Sequence, residues 1–383
     1  MAELFDYMTL KLIAWAFVGI LLIAFALTDG FDLGIGSIFP MIARTDDERR
    51  IVLNTIGPIW EGQQVWFIAA GTLLFAAWPV AYATAFSAFY WVLFLLLWTL
   101  FLRPVCFDYR SKMPSSTWRS SWDWVLFVAS IVPPIVFGAA FGNMLLGVEF
   151  HFNPMMQSFY TGTVAQLFHP FAVLCGLVSL AMLVMHGAYY IYMRTDGVIA
   201  IRARRTANLA ALLYVALFLT AGYMIAYKIE GYRVLQLSGS MHDVLIPLGK
   251  TVDKQLGLWM LNYEMYPWTR AFPIAAVGAA LGSIIFTRVR WALVAFICSG
   301  IAVAGTIITA ATSMFPFIFP SSSVPNNSLT IWDSAAGPTS LATITVVNLV
   351  VLPVIIVYVS WVYRKLSGKV TVEQIREEDK TLY

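Results

Sequence analysis

Two carboxyl groups three residues apart, Asp29 and Asp32, sit in the run Thr28-Asp29-Gly30-Phe31-Asp32-Leu33-Gly34-Ile35-Gly36, which continues an apolar segment without a clear break. On a helix, that spacing puts both on one face. A carboxylate at membrane depth costs about 2.5–3.5 kcal/mol on insertion scales, and such groups face a protein or water-filled interior. The chemistry open to such a pair is proton uptake and transfer. The plainer alternative is that both acids cap an inner helix end, where water is near. Gly30 and Gly34, four apart, have a small-xxx-small spacing that permits close helix approach. A third acid, Glu61, lies in Ile59-Trp60-Glu61-Gly62-Gln63-Gln64-Val65-Trp66, at the threshold of the next apolar run. A glutamate there suits a group that takes up and passes protons. Its plain alternative is an interfacial acid flanked by belt tryptophans.

Other chemistry is thinly represented. Of the histidines His151, His169, His186 and His242, only His186 falls well inside an apolar run. Haem takes axial His, Met or Cys ligands, but a lone buried histidine is more often a hydrogen-bonded packing residue. The sequence has no HExxH, CxxCH or acidic metal-binding loop, and Cys106, Cys175 and Cys298 show no CxxC spacing. Neither a metal site nor a catalytic residue is expected in this chain. Asp108, between Arg103 and Arg110, reads as a local ion pair that fixes a loop.

The elements that must position these acids follow from composition. The 383 residues are 60% apolar and only 12% charged, against about 25% charged in soluble domains. The surplus apolar surface must face lipid. A net charge of +3 with no run of basic residues gives no footprint for nucleic acid. A membrane helix needs about 20 mostly apolar residues. Nine windows qualify, at about 10–28, 65–82, 85–102, 124–141, 171–191, 208–228, 271–286, 291–312 and 341–362, within one membrane domain spanning 1–383. The second and third read as a tight hairpin turning at Tyr82-Ala83-Thr84. The start of the chain is acidic where a signal peptide is basic, so the first run reads as a retained span.

With the N-terminus outside, 18 of the 24 basic residues fall on inner loops and the C-terminal tail, including Arg376 and Lys380. Positive loops stay cytoplasmic, which predicts a periplasmic N-terminus and a cytoplasmic C-terminus. The stretch 103–122 reads as a long basic inner loop. Only the outer segment 229–270 is long enough for a small cap, with Trp259 as an interfacial anchor. The proline-rich outer segment 313–340 is expected to pack against the membrane face.

Six segments then resemble one family in order along the chain. They are TDGFDLGIG (28–36), WEGQQVW (60–66), FAAWPVAYATAFSAFY (75–90), RPVCFDYRSK (103–112), AFGN (140–143) and MFPFIFPSSSVPNNSLTIWD (314–333). Together they look like subunit II of the cytochrome bd quinol oxidases. The resemblance implies an all-α polytopic fold of nine helices, two four-helix bundles plus one extra helix. It implies a bacterial inner-membrane complex that oxidises ubiquinol or menaquinol, reduces O2 to water and generates a proton gradient. Haems b and d are expected in a partner, subunit I. This chain is expected to supply scaffold, a bound lipid or structural quinone, and part of the proton and oxygen routes, with small single-helix accessory subunits as further partners. By that resemblance Glu61 matches a proton-path carboxylate, Asp29 and Asp32 are nearby inner-side acids, and Trp66 matches a tryptophan near an oxygen entry. Glu61 and Gln63 stand where the best-known members carry Asp and Asn. The rival from another class is a secondary transporter, which also uses intramembrane carboxylates.

Overall fold

A computed structural model describes residues 6–366 and 368–370. In lipid, backbone groups find no water, so each apolar run satisfies its own hydrogen bonds as a helix. Helix α1 (Tyr7–Gly36) is followed by the short α2 (Phe39–Ile42) and by α3 (Asp46–Ile56). Next come α4 (Trp60–Gln63), α5 (Val65–Ala77), α6 (Pro79–Ala88), α7 (Tyr90–Arg110), α8 (Ser116–Leu146), α9 (Pro170–Arg194) and α10 (Gly197–Tyr227). The chain ends through α11 (Leu261–Met265), α12 (Ala271–Arg288), α13 (Ala292–Met314) and α14 (Pro338–Lys365). Among the described residues, 8 helices are long and apolar enough to cross a membrane, or 9 when the bent segment 60–88 is included. The all-α polytopic reading of the sequence agrees with this.

The bend corrects one boundary. The chain breaks at Trp78-Pro79, not at Tyr82-Ala83-Thr84, and the two halves meet at 119°. Proline has no N–H and disfavours the α conformation in the residue before it. Trp78 accordingly sits at φ −136°, ψ 69°. Pro79 then opens α6, where a missing N–H costs nothing. The stretch 103–122 is corrected too: α7 runs to Arg110 and α8 starts at Ser116, so only 111–115 form a loop.

Helix α9 touches α1, α8, α10 and α13. Its contact with α1 is backbone to backbone. A Cβ at Gly34 would strike the Leu183 carbonyl, and one at Gly187 would strike the backbone of Phe31 and Ile35. This contact fixes the helix that carries Asp29 and Asp32.

At the end where α1 begins, three antiparallel hairpins cover the helices. They pair β1 (Phe150–Phe152) with β2 (Ser158–Tyr160), β3 (Glu230–Gln236) with β4 (Thr251–Leu256), and β5 (Phe317–Phe319) with β6 (Leu329–Thr330). Trp259 is buried here, its indole N–H donating to the Leu145 carbonyl at 2.9 Å, so it is a core residue and not an interfacial anchor. Segment 313–340 likewise packs into its own chain, with Phe317 and Phe319 buried. Lys11, fully buried, donates to the carbonyls of Met241, Asp243 and Trp332 at 3.0, 3.1 and 2.9 Å. Lys250 pairs with Asp333 at 2.7 Å. Lys11 ties the 229–270 and 313–340 segments to α1, and Lys250 ties those segments to each other.

The opposite end is rich in arginine. Arg110 bonds Asp123 at 2.6 Å and Asp46 at 2.8 Å, Arg119 bonds Asp46 at 2.7 Å, Arg49 bonds Asp123 at 2.7 Å, and Arg202 bonds Glu48 at 2.8 Å. Asp108 is exposed and is not the partner of its sequence neighbours. On a continuous helix, residues two and five apart do not face each other, so Arg103 and Arg110 turn inward instead. Arg376 and Lys380 lie outside the described residues.

Two outcomes follow from this packing. Gly34→Ala is expected to destabilise by about 1–3 kcal/mol, the cost of overpacking, whereas Gly71→Ala meets open space and stays at wild-type stability or above. Thermal unfolding of the purified complex distinguishes them. Burial pushes the Asp46 carboxyl up, but the hydrogen bond and charge of Arg110, then the charges of Arg119 and Arg50, outweigh it and hold it below the usual carboxylate range. Its stabilisation is therefore present above the ordinary carboxylate pKa and is lost as pH falls through the depressed value. Asp46→Asn is expected to flatten that acid limb in a pH series of melting temperatures.

Candidate functional site

Asp29 and Asp32 lie inside α1, seven and four residues before its end at Gly36, and are 0% and 1% exposed. The capping alternative fails on both counts. Arg103 reaches them from α7, 74 residues away in sequence and itself 1% exposed. Its Nη1 donates to both carboxylate oxygens of Asp29, at 3.1 Å each. Asp32 receives no hydrogen bond from the described residues on either oxygen, and Arg103 Nη2 is also unpartnered among them. The charges acting on Asp32 are those of Asp29 and Arg103. One guanidinium thus serves two carboxyl groups. An anion buried without a donor is costly, so the second carboxyl's charge must be met by the shared arginine or by a proton.

Aromatic side chains wall this pocket. Phe31 stacks on Tyr190 at 4.2 Å between centroids and stands 6.3 Å from Tyr363 of α14. The Tyr190 hydroxyl donates to the Thr55 carbonyl at 3.3 Å. Gln63 Nε2 donates to the Tyr363 hydroxyl at 2.9 Å, while Gln63 Oε1 is unpartnered among the described residues.

Glu61 is placed differently. It lies on α4, which packs against α1, but its side chain is exposed while Trp60 and Trp66 are buried. The tryptophans turn inward, with Trp60 stacked on Phe107 at 5.6 Å, so they do not enclose the glutamate. Trp66 is 3% exposed and its indole N–H finds no acceptor among the described residues. The fold therefore unites Asp29 with Asp32 and leaves Glu61 on a neighbouring surface.

Sequence reasoning missed Arg103, Tyr190 and Tyr363. An arginine followed by Pro104 at the end of an apolar run was the available signal for the first. Nothing local marked the tyrosines.

His186, the histidine well inside a span, is engaged by its own chain. His186 Nδ1 bonds Ser299 Oγ at 2.8 Å, Nε2 bonds the Leu27 carbonyl at 3.1 Å, and the ring stacks on Phe296. Both ring nitrogens are committed. No group of three or more His, Cys, Asp or Glu among the described residues could hold a metal. A separate apolar cavity of about 650 Å³ is lined by Phe25, Phe67, Phe137, Met182 and Phe218, with Glu264 and Arg270 as its charged lining.

Fold and site together define a polytopic helical membrane protein with a buried acid–arginine centre. The model of the family "Cytochrome bd terminal oxidase subunit II" matches residues 10–366. The chain is 44% identical over 378 residues to cytochrome bd-I ubiquinol oxidase subunit 2 of Escherichia coli (strain K12), covering 99% of this chain and 100% of that one. It is 27% identical over 355 residues to cytochrome bd ubiquinol oxidase subunit 2 of Bacillus subtilis (strain 168), covering 92% and 95%. A solved structure of the bd oxidase from Geobacillus thermodenitrificans shares the fold, with a TM-score of 0.69 at 16% identity over 93% of this chain and 98% of that one. The chain belongs to the cytochrome bd terminal oxidase subunit II family.

Removing one partner of a buried ion pair costs about 3–5 kcal/mol, because the other charge is left unpaired. Arg103→Leu is therefore expected to abolish or sharply reduce assembled complex. Asp29→Leu combined with Arg103→Leu should recover more assembly than Arg103→Leu alone. Complex yield from membranes reads both; equal losses in the single and double variants would show that the pair is not the cause.

Proposed function

We propose that this chain acts as the second subunit of a quinol:oxygen oxidoreductase, supporting quinol oxidation coupled to reduction of O2 to water. The carrying observation is the end-to-end family match combined with a buried acid pair short of positive charge. The same match favours the oxidase subunit over a secondary transporter. Redox chemistry is supplied by haems b and d when bound, which we assign to the partner subunit I, in keeping with the committed nitrogens of His186. The curated relatives' names give ubiquinol as the substrate, and we carry ubiquinol to this complex, with menaquinol as the alternative.

This chain's own part is to position helices and to hold protons. With the N-terminus periplasmic, the arginine-rich end faces the cytoplasm, and the buried acid pair lies nearer that side. Glu61, exposed on α4 beside α1, stands where a partner subunit can cover it and receive a proton. Asp29 and Asp32 serve as the buried acids behind it. Trp66 lies along the oxygen entry. The apolar cavity suits an acyl or isoprenoid chain, so a lipid or structural quinone fits it. Single-helix accessory subunits would seat on remaining apolar faces.

Glu61→Gln is expected to slow O2 reduction by up to about a hundredfold, the lower end of what a positioned proton-transfer group contributes, in a complex that retains its haem spectrum. Unchanged turnover across the pH range would remove Glu61 from the route.

A further inference from the structure

The last helix brings a hydroxyl to the acid pocket that the route above does not use. Tyr363 sits two residues before the end of α14, and α14 packs against α1 and α5. Its ring stands at the edge of Phe31, the chain neighbour of Asp32. Asp32 and Asp29 are the carboxyl groups whose charge acts on its hydroxyl. Gln63 Nε2 donates to that hydroxyl oxygen at 2.9 Å. This bond has a direction. It occupies an acceptor lone pair on Oη and leaves the phenolic proton free to be donated. Both oxygens of Asp32 accept nothing from the described residues, and Gln63 Oε1 and Arg103 Nη2 are likewise unpartnered among them. Buried polar atoms of native proteins almost always have a partner, protein or ordered water. No direct hydrogen bond joins the Tyr363 hydroxyl to Asp32 among the described residues, so a chain between them runs through ordered water, which bridges polar groups nearly as well as direct contact.

We infer that Tyr363, held by Gln63, is a positioning residue for proton passage to Asp32. The inference rests on the proposal that the Asp29–Asp32 pair lies on the proton route, with Asp32 as the acid that exchanges the proton. The hydroxyl orients the chain and donates to it; no bond other than O–H is made or broken. The groups facing Tyr363 are Asp29 and Asp32 from α1, Tyr190 from α9 and Gln63 from α4. Arg103 from α7 is set by its bond to Asp29.

The test uses the whole complex in membrane vesicles, with oxygen consumption driven by quinol and measured in H2O and D2O. Tyr363→Phe keeps the ring beside Phe31 and removes only the hydroxyl. Turnover is expected to fall about threefold to tenfold, the worth of one hydrogen bond, and the solvent isotope effect to rise. Complex yield and the reduced-minus-oxidised haem spectrum are expected to match wild type. Gln63→Leu, which leaves the hydroxyl but removes its tether, should shift both readouts in the same direction. Wild-type turnover and isotope effect in Tyr363→Phe and Gln63→Leu, beside a slowed Asp32→Asn, would overturn this inference and leave the acid route standing. Wild-type turnover in Asp32→Asn as well would overturn the route itself. If Tyr363→Phe lost assembly, an unchanged isotope effect in Gln63→Leu would decide against the inference.

Discussion

Arg103 supplies a single positive charge to two carboxyl groups in the interior of an apolar helical array, and much of the chain is arranged so that this shortage can exist. Asp29 takes the guanidinium through both oxygens, which leaves Asp32 dependent on the residual field of the same cation. In water the imbalance would be trivial. Among helices lined by Leu, Ile and Phe, each charge lacks the hydration that would otherwise hold it. Such a centre persists only where the surrounding packing leaves it no escape. The Gly34–Gly187 contact presses α1 onto α9. Asp46 and Asp123 anchor Arg110 two turns beyond Arg103 on the same helix. The buried Lys11 fastens the other end of α1 beneath the hairpins.

The same constraint connects fold to function. A carboxyl group with no fixed partner can exchange a proton at small structural cost, because no hydrogen bond from the protein must break. A carboxyl group held by arginine is a poor proton carrier and a good electrostatic reference. On the proposed route Asp29 and Asp32 divide the work by environment, although one residue type occupies both positions and one turn of helix separates them. Aromatic walls from Phe31, Tyr190 and Tyr363 confine the pocket. In the proposed complex oxygen reduction is assigned to the haem-bearing partner, and the present chain is assigned the placing of charge and protons beside it.

How much of this could be read from the sequence divides by range. The membrane class, the helical spans and the shared face of Asp29 and Asp32 follow from composition and periodicity, which are local properties. The break at Trp78 was also local, since Pro79 stands in plain view, but continuous apolarity across it masked the bend. The partner of Asp29 could not be read, because Arg103 lies 74 residues away and its nearest acid in sequence, Asp108, faces the other way. Trp259 looked like an interfacial anchor until the fold placed it under the hairpins. Glu61 resembles a buried acid by its flanking tryptophans, yet α4 and α5 turn those rings inward and α4 leaves the carboxylate outward. Its environment is completed by whatever covers that face in the assembled oxidase, and no sequence of one subunit contains that information.

Redox-induced infrared difference spectra of the intact complex test most directly whether Asp32 takes up and releases a proton during turnover. The account predicts a carboxyl C=O band in the wild-type difference spectrum that shifts in D2O and disappears in Asp32→Asn, while Asp29→Asn, if assembled, retains it. Identical carboxyl regions in wild type and Asp32→Asn would contradict it.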